Sequence, residues 1–290
     1  MNLNSFLNKT FNMHPIEGDV CSLLIREELL SNKPSMIGRF GSTEIKAILY
    51  PELPFFVAPL LSKRVCTNMA TLSGFFPSNP KTINKFSNLM YQDMTQLDIL
   101  GSWRIEELLL RKHFPNAKLV ELKSLESYLF KSPWTEVLEG KKVLVVHPFN
   151  TTIEQQYHKN RERLFPNKNV LPKFHSLETI KAVQTIAGNL DGFNDWFAAL
   201  ESMKSAIDSK EFDIAILGCG AYGFPLAAHI KRQGKKAVHL GGATQILFGI
   251  RGKRWDDHPI ISKFYNDYWV RPSLGDVPKH ATKVENGCYW

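Results

Sequence analysis

The stretch from Phe212 to Phe248 limits the fold more than any other part of the chain. It reads as an apolar strand, Phe212 to Leu217, then a turn of Gly218-Cys219-Gly220-Ala221-Tyr222-Gly223, then a helix from Phe224 to Arg232 that Gly234 stops. A second apolar strand, Ala237-Val238-His239-Leu240, meets a second glycine turn, Gly241-Gly242, and a short helix from Thr244 to Phe248. Short apolar runs without alternation belong to strands buried on both faces. Helices between such strands make them run parallel.

The same alternation recurs upstream. Asp19 to Leu30 predicts a helix with Val20, Leu23, Leu24 and Leu29 as its apolar face. Met36 to Phe40 reads as a short strand, followed by the Gly41-Ser42-Thr43-Glu44 turn and a helix through Leu49, with Ser42 or Thr43 as N-cap. Leu60 to Asp98 is helical but broken by Gly74 and the Pro77–Pro80 turn; Leu97 to Leu100 and Leu119 to Leu122 are strand candidates. Ile105 to Phe114 and the residues from Leu122 to Leu138 read as helical, Val143 to Val146 as a strand, Thr152 to Leu164 as a polar helix and Phe193 to Ile207 as an amphipathic one. The expected fold is α/β, a Rossmann-like doubly wound and mostly parallel sheet flanked by helices. A single α/β domain is expected over residues 1–255, with residues 256–290 as a C-terminal extension packed on it.

Composition narrows the class of function. At 43% apolar and 22% charged residues, the chain has ordinary globular usage. No apolar run approaches the roughly 18–20 residues that span a bilayer, and Met1 to Phe6 lacks the pattern of a secretory signal. The four cysteines, Cys21, Cys66, Cys219 and Cys288, are too dispersed for a metal clip or a disulfide framework, so reduced thiols and a cytoplasmic location are expected. A net charge of +8 points to anionic company: nucleic acid, a membrane surface or a phosphorylated small molecule. The sequence carries no recognised nucleic-acid motif, so nucleic acid is not expected as a partner.

Gly218 to Gly223 fits G-x-G-x-x-G between a strand and a helix, where backbone amides can approach an anion at the positive helix end. The following strand ends in Leu240-Gly241-Gly242, without the acidic residue that a dinucleotide ribose needs, which argues against NAD. Two readings stay open: a phosphate or nucleotide site, and glycines that only permit close packing. Gly241-Gly242 repeats the arrangement one strand later. Arg251, Lys253 and Arg254 beside Trp255 could hold phosphates and stack a base, or form a solvated loop. Arg39 ends a buried strand, a position that calls for an anionic partner. Glu44 fits a functional carboxylate and equally a first-turn capping role. His147 follows a buried strand at the same edge, as a candidate base or as a packed residue. The basic run from His158 to Lys173 fits a lipid-borne acceptor, a membrane surface or a solvated helix face.

Arg39-Phe40-Gly41-Ser42-Thr43-Glu44 resembles the Arg-Phe-Gly-Asp-Gly-Glu turn of GT-D-type bacterial glycosyltransferases. Ile216 to Ala221, followed by Leu226-Ala227 and Gly241, resembles that family's late glycine-rich segment on the nucleotide side, and the likeness spans about residues 35 to 255. It implies transfer of a sugar from a nucleotide-diphosphate sugar to a glycan or lipid-linked acceptor in surface-polysaccharide synthesis, in the cytoplasm or at the inner face of the membrane. The resemblance also implies a divalent metal, Mn²⁺ or Mg²⁺, with Glu44 as its ligand. Glu44 and His147 are the candidate catalytic residues. Arg39, Gly41, Ser42, Thr43, Gly218, Gly220, Ala221, Tyr222, Gly241, Gly242 and Arg254 are the candidate donor-binding residues. Where the family has Asp, this chain has Ser42, and one carboxylate makes a weaker cation site than two. A non-catalytic nucleotide- or sugar-phosphate-binding protein is the alternative. A nicotinamide-dependent oxidoreductase is a third reading.

Overall fold

A computed structural model describes residues 15–186, 190–277 and 287–290. The stretch read for a secretory signal, Met1 to Phe6, lies outside these residues, as does part of the C-terminal extension. The helices are α1 (Asp19–Leu30), α2 (Ser42–Leu49), α3 (Ala58–Leu72), α4 (Pro80–Met94), α5 (Glu107–Leu110), α6 (Asn150–Leu164), α7 (Trp196–Asp208), α8 (Gly223–Arg232) and α9 (Ala243–Leu247). The strands are β1 (Ser35–Gly38), β2 (Ile99–Ser102), β3 (Lys118–Glu121), β4 (Lys142–His147), β5 (Ser176–Lys181), β6 (Ile214–Leu217) and β7 (Lys236–His239).

The seven strands form one sheet in the order β3-β2-β1-β7-β6-β4-β5, and every pairing is parallel. Successive residues point to opposite faces, so each strand feeds two cores. Met36, Leu144, Val146, Ala215 and Leu217 pack with α2, α4, α7 and α8 on one face. Ile37, Val143, Val145, Ile214, Ile216 and Val238 pack with α1, α6 and α9 on the other. This is an α/β sheet flanked by helices. No helix among the described residues is long and apolar enough to cross a membrane.

The structure differs from the sequence expectation in several places. In α1 the buried residues are Cys21, Ser22, Ile25 and Leu29, while Val20 and Leu23 are 48% and 47% exposed. The polar atoms on the buried face are satisfied: the Cys21 thiol donates to the Ile16 carbonyl and Ser22 Oγ to that of Ser132. The N-cap of α2 is Gly41 rather than Ser42 or Thr43, which are already helical. The helix expected over Ile105 to Phe114 shrinks to α5 and one 3₁₀ turn. Leu122 to Leu138 holds three 3₁₀ turns rather than a helix, because Pro133 interrupts it and Trp134 Nε1 donates to the Leu125 carbonyl across the bend. Strand β5 was not anticipated.

The buried face of α1 keeps the expected Leu29 but turns Val20 and Leu23 outward, which gives a direct test. Ile25→Ala is expected to cost about 2–5 kcal/mol in urea unfolding, and Leu23→Ala to stay within about 0.5 kcal/mol of the native protein. Equal costs would mean that the helix faces the other way.

Candidate functional site

Ligands of open α/β sheets bind outside the carboxyl ends of the strands, where neighbouring crossovers leave on opposite faces. Here α6 follows β4 on one face and α8 follows the adjacent β6 on the other. At that edge the ends of β1, β7, β6 and β4 open into a cavity of about 460 Å³. The candidate catalytic and donor-binding residues all line it, whereas Gly223, Arg251, Lys253, Trp255 and the basic run from His158 to Lys173 do not. Arg39, Gly41, Ser42, Thr43 and Glu44 come from beyond β1, His147 from the end of β4, and Gly218, Gly220, Ala221 and Tyr222 from beyond β6. Gly241 and Gly242 follow β7, and Arg254 arrives from the loop after α9.

Arg39 spans the ends of β1 and β7. Its Nε and Nη2 donate to the Phe40 carbonyl at 3.3 and 3.0 Å, and a Cβ added to Gly241 would meet its Nη1 at 3.2 Å. The guanidinium lies 5.3 Å from the centre of the Trp103 ring, whose Nε1 donates to the same Phe40 carbonyl at 2.9 Å. Burial lowers the Arg39 pKa, the nearby Glu44 charge opposes that, and Arg254 adds to it. Behind Trp103 sits Glu107, fully buried: Ser102 Oγ donates to one carboxylate oxygen and the amides of Trp103 and Arg104 to the other. Glu107 therefore fixes the loop that carries Trp103, and Trp103 in turn braces Arg39.

Glu44 sits in the first turn of α2, and its carboxylate folds back over Gly41. A Cβ at Gly41 would meet Glu44 Oε2 at 1.8 Å, so glycine is what lets the carboxylate lie there. It accepts no hydrogen bond among the described residues and is half-buried at the cavity wall.

The three motif glycines do different work. A Cβ at Gly218 would meet His147 Cδ2 at 2.5 Å and Thr244 Oγ1 at 2.6 Å, and one at Gly223 would meet His239 Nδ1 at 2.1 Å. Both are glycines of close packing. Gly220 has φ +57° and open space where a side chain would be. It opens a 3₁₀ turn that leads into α8, and the first amides of such a turn have no partner within it.

The two cavity histidines are held as complementary tautomers. His147 Nδ1 accepts from the Phe149 amide at 3.0 Å, which leaves the proton on Nε2. His239 Nδ1 faces the Leu217 carbonyl at 3.4 Å and donates to it, which leaves the lone pair on Nε2. Burial holds both pKa values down to about 3, so both rings are neutral at neutral pH. The lone pair that a general base needs is engaged in His147, so that ring serves as a hydrogen-bond donor. His239, which the sequence shows only as part of a strand, carries the acceptor.

Tyr222 lines the cavity with its ring alone. Thr185 Oγ1 donates to the Gly74 carbonyl and so accepts from the Tyr222 hydroxyl at 2.9 Å, while the ring stacks on Trp196 at 4.8 Å. Of the basic loop only Arg254 reaches the cavity. Arg251 donates to the Asn266 carbonyl and lies over Tyr265, and Trp255 is buried against Gly242 and Gly252 rather than offered as a stacking face. Further lining residues were not apparent in the sequence: Trp103, His239, Gln245, Tyr289 and Trp290. Gln245 Nε2 donates to the Tyr289 carbonyl, Arg254 Nη1 to the Tyr289 hydroxyl, and Trp290 Nε1 to the Asp276 carbonyl. The C-terminal residues thus form one wall of the cavity.

Among the described residues, those lining the cavity are a poor donor set for a divalent cation. Glu44 is the one acidic side chain lining the cavity among the described residues, which contain no group of three or more His, Cys, Asp or Glu suited to a metal ion. Magnesium and manganese favour several charged oxygens, and the Ser42 and Thr43 hydroxyls are poor substitutes.

No protein-family model matches the chain, and no curated protein matches it. Two solved structures are similar in course. One is a selenomethionine-substituted structure of domain of unknown function 1792, at 14% identity and TM-score 0.43 over 83% of this chain and 82% of that one. The other is described as the highly conserved domain of unknown function 1792 with a distinct glycosyltransferase fold, at 14% identity and TM-score 0.42 over 82% of each chain.

Burial pushes the Glu107 carboxyl from its usual 4.5 up to about 7. Between those values the folded protein keeps a proton that the unfolded chain has released, so this group's contribution to stability falls as pH rises through the window. Glu107→Gln keeps an acceptor for the two amides and abolishes the titration. The stability of the variant relative to the native protein is expected to rise between pH 4.5 and pH 7 in urea unfolding. A difference independent of pH would show that Glu107 does not titrate there.

Proposed function

We propose that the protein is a glycosyltransferase that moves a sugar from a nucleotide-diphosphate sugar to a glycan or lipid-linked acceptor in surface-polysaccharide synthesis. The observation that carries this reading is the convergence of Arg39 and Arg254 on a cavity in which Glu44 is the one acidic side chain among the described residues. Two guanidinium groups that weaken each other's charge are relieved by an anion between them, and each is suited to bidentate phosphate binding. A cavity of about 460 Å³ has room for a ligand of that class.

In the proposed reaction an acceptor hydroxyl attacks the anomeric carbon, the bond to the distal phosphate oxygen breaks, and the electron pair leaves with the diphosphate. Arg39 and Arg254 oppose the charge growing on that leaving group. Glu44 takes the hydroxyl proton. His147 Nε2–H offers a donor to hydroxyl or phosphate oxygens, and His239 Nε2 an acceptor to a hydroxyl group. No step needs a bound cation. A cytoplasmic location, at the inner face of the membrane, goes with this reading. The single carboxylate equally favours the second reading, a nucleotide- or sugar-phosphate-binding protein without transfer.

Titration calorimetry with UDP, GDP, CMP and NAD, each with and without Mn²⁺, separates the classes. A nucleoside diphosphate is expected to bind and NAD is not. Arg39→Ala is expected to weaken binding about 10- to 100-fold, the worth of charge-assisted hydrogen bonds. Mn²⁺ alone is expected to give no binding. NAD binding with no response to any nucleoside diphosphate would sink the transferase reading.

Glu44→Gln probes the chemistry separately. Transfer is expected to fall by roughly 10²- to 10⁴-fold with diphosphate binding and the thermal midpoint retained. Unchanged turnover would return Glu44 to a capping role, and a native protein that binds donors but transfers to no acceptor would favour the binding-protein reading.

A further inference from the structure

The entry to α3 carries an apolar surface that no described residue covers. Phe55, Phe56 and Leu60 are 88%, 65% and 80% exposed, and the two phenylalanine rings contact each other edge to face at 5.6 Å. Within the fifteen residues of α3 only Met69 is fully buried. Surface apolar residues scattered singly need no explanation, but three large ones at one projecting turn mark a contact surface. Lys63 and Arg64 are exposed three and four positions after Leu60, on the same side of the helix. Neither of the two cavities described at the protein surface is lined by these residues.

We propose that this turn is a membrane-docking tip, with Phe55, Phe56 and Leu60 entering the acyl boundary of an anionic lipid surface and Lys63 and Arg64 pairing with its headgroups. The order of the side chains carries the choice of a lipid. The apolar groups stand at the tip, and the cations follow one helical turn behind, about 5 Å along the axis. That sequence matches the depth order of a bilayer interface, in which anionic headgroups lie above the acyl chains. Neither cavity opens at this turn to hold a peptide. The charged residues of α3 itself, Lys63 and Arg64, are both basic, and Glu52 before the turn accepts from the Tyr91 hydroxyl, which suits an anionic surface.

The basic run from His158 to Lys173 is less suited to that task. Arg161 donates to the Leu171 carbonyl and lies over Tyr157, Arg163 lies over Tyr268, and Lys168 donates to the Phe165 carbonyl. Those cations are engaged locally, on the opposite face of the sheet from α3.

Docking at this tip has a geometric consequence. The far end of α3, at Leu72 and Ser73, lines the cavity, about 20 Å along the helix from its start. A lipid surface at the tip therefore lies one length of α3 away from the cavity. That consequence for a lipid-linked acceptor rests on the transferase reading; the docking itself does not.

The test is flotation of the full chain with vesicles of phosphatidylcholine alone and of phosphatidylcholine with phosphatidylglycerol, together with light scattering. The native protein is expected to float with the anionic vesicles and to be released by salt. Phe55→Ser/Phe56→Ser/Leu60→Ser is expected to reduce the bound fraction at least tenfold, and Lys63→Glu/Arg64→Glu to remove the preference for anionic lipid, with both variants melting as the native protein does. Native protein that floats with neither vesicle, or a triple variant that floats as well as the native, overturns the proposal. So does a native dimer that the triple variant dissociates without any vesicle binding, because the tip is then a contact between two copies. Nucleotide binding by calorimetry is read independently, so failure of docking and failure of the transferase reading are distinguishable.

Discussion

A parallel sheet clad with helices on both faces leaves one place where polar groups can gather, the edge at which its strands end. Interior positions of β1, β2 and β6 are wholly buried, so a charged or hydrogen-bonding side chain there would go unsolvated. Because all seven strands run the same way, the ends of four neighbours deliver their loops to one cavity. The Arg39–Glu44 turn, His147, Gly220 and Gly241 meet for that reason, although they come from four separate strand ends.

Within the cavity, precision comes from neutral and buried supports rather than from ion pairs. Arg39 is held by the Phe40 carbonyl and the Trp103 ring, and Trp103 is held by the buried carboxylate of Glu107. No ion pair ties Arg39 to Glu44 among the described residues, so both charges face the cavity rather than cancelling in contact. The histidines follow the same logic: burial keeps them neutral, and one backbone group each fixes which nitrogen carries the proton. Such a site presents oriented dipoles and two guanidinium groups to whatever enters, with little reorganisation required.

How much of this is legible in the sequence depends on burial. The unit from Phe212 to Phe248 could be read because its strands are buried on both faces and glycines punctuate each end. Strand β5, with the sequence Ser-Leu-Glu-Thr-Ile-Lys, sits at the sheet edge and is only partly buried, so it lacks the apolar run that marks its neighbours. The face of α1 was misread because Cys21 and Ser22 are buried through specific hydrogen bonds, which no count of apolar residues detects. Leu122 to Leu138 has leucines at helical spacing, yet Pro133 and the buried Ser124 and Ser127 settle it into 3₁₀ turns. In the site, the residues adjoining strand ends could be found from pattern. Trp103, Tyr289 and Trp290 reach the cavity through tertiary contacts alone, and local spacing holds no trace of them.

The packing of Gly218 and Gly223 bears on how such motifs are interpreted. Each is a glycine because an imidazole occupies the space of its side chain, His147 for the first and His239 for the second. A larger residue at either position would push a histidine ring off its backbone partner and change which nitrogen faces the cavity. Loss of activity on replacing these two glycines would therefore report displaced imidazoles, not a lost phosphate contact. Of the three, only Gly220 can be substituted with its effect read directly on a bound anion, and there the positive φ has to be discounted first.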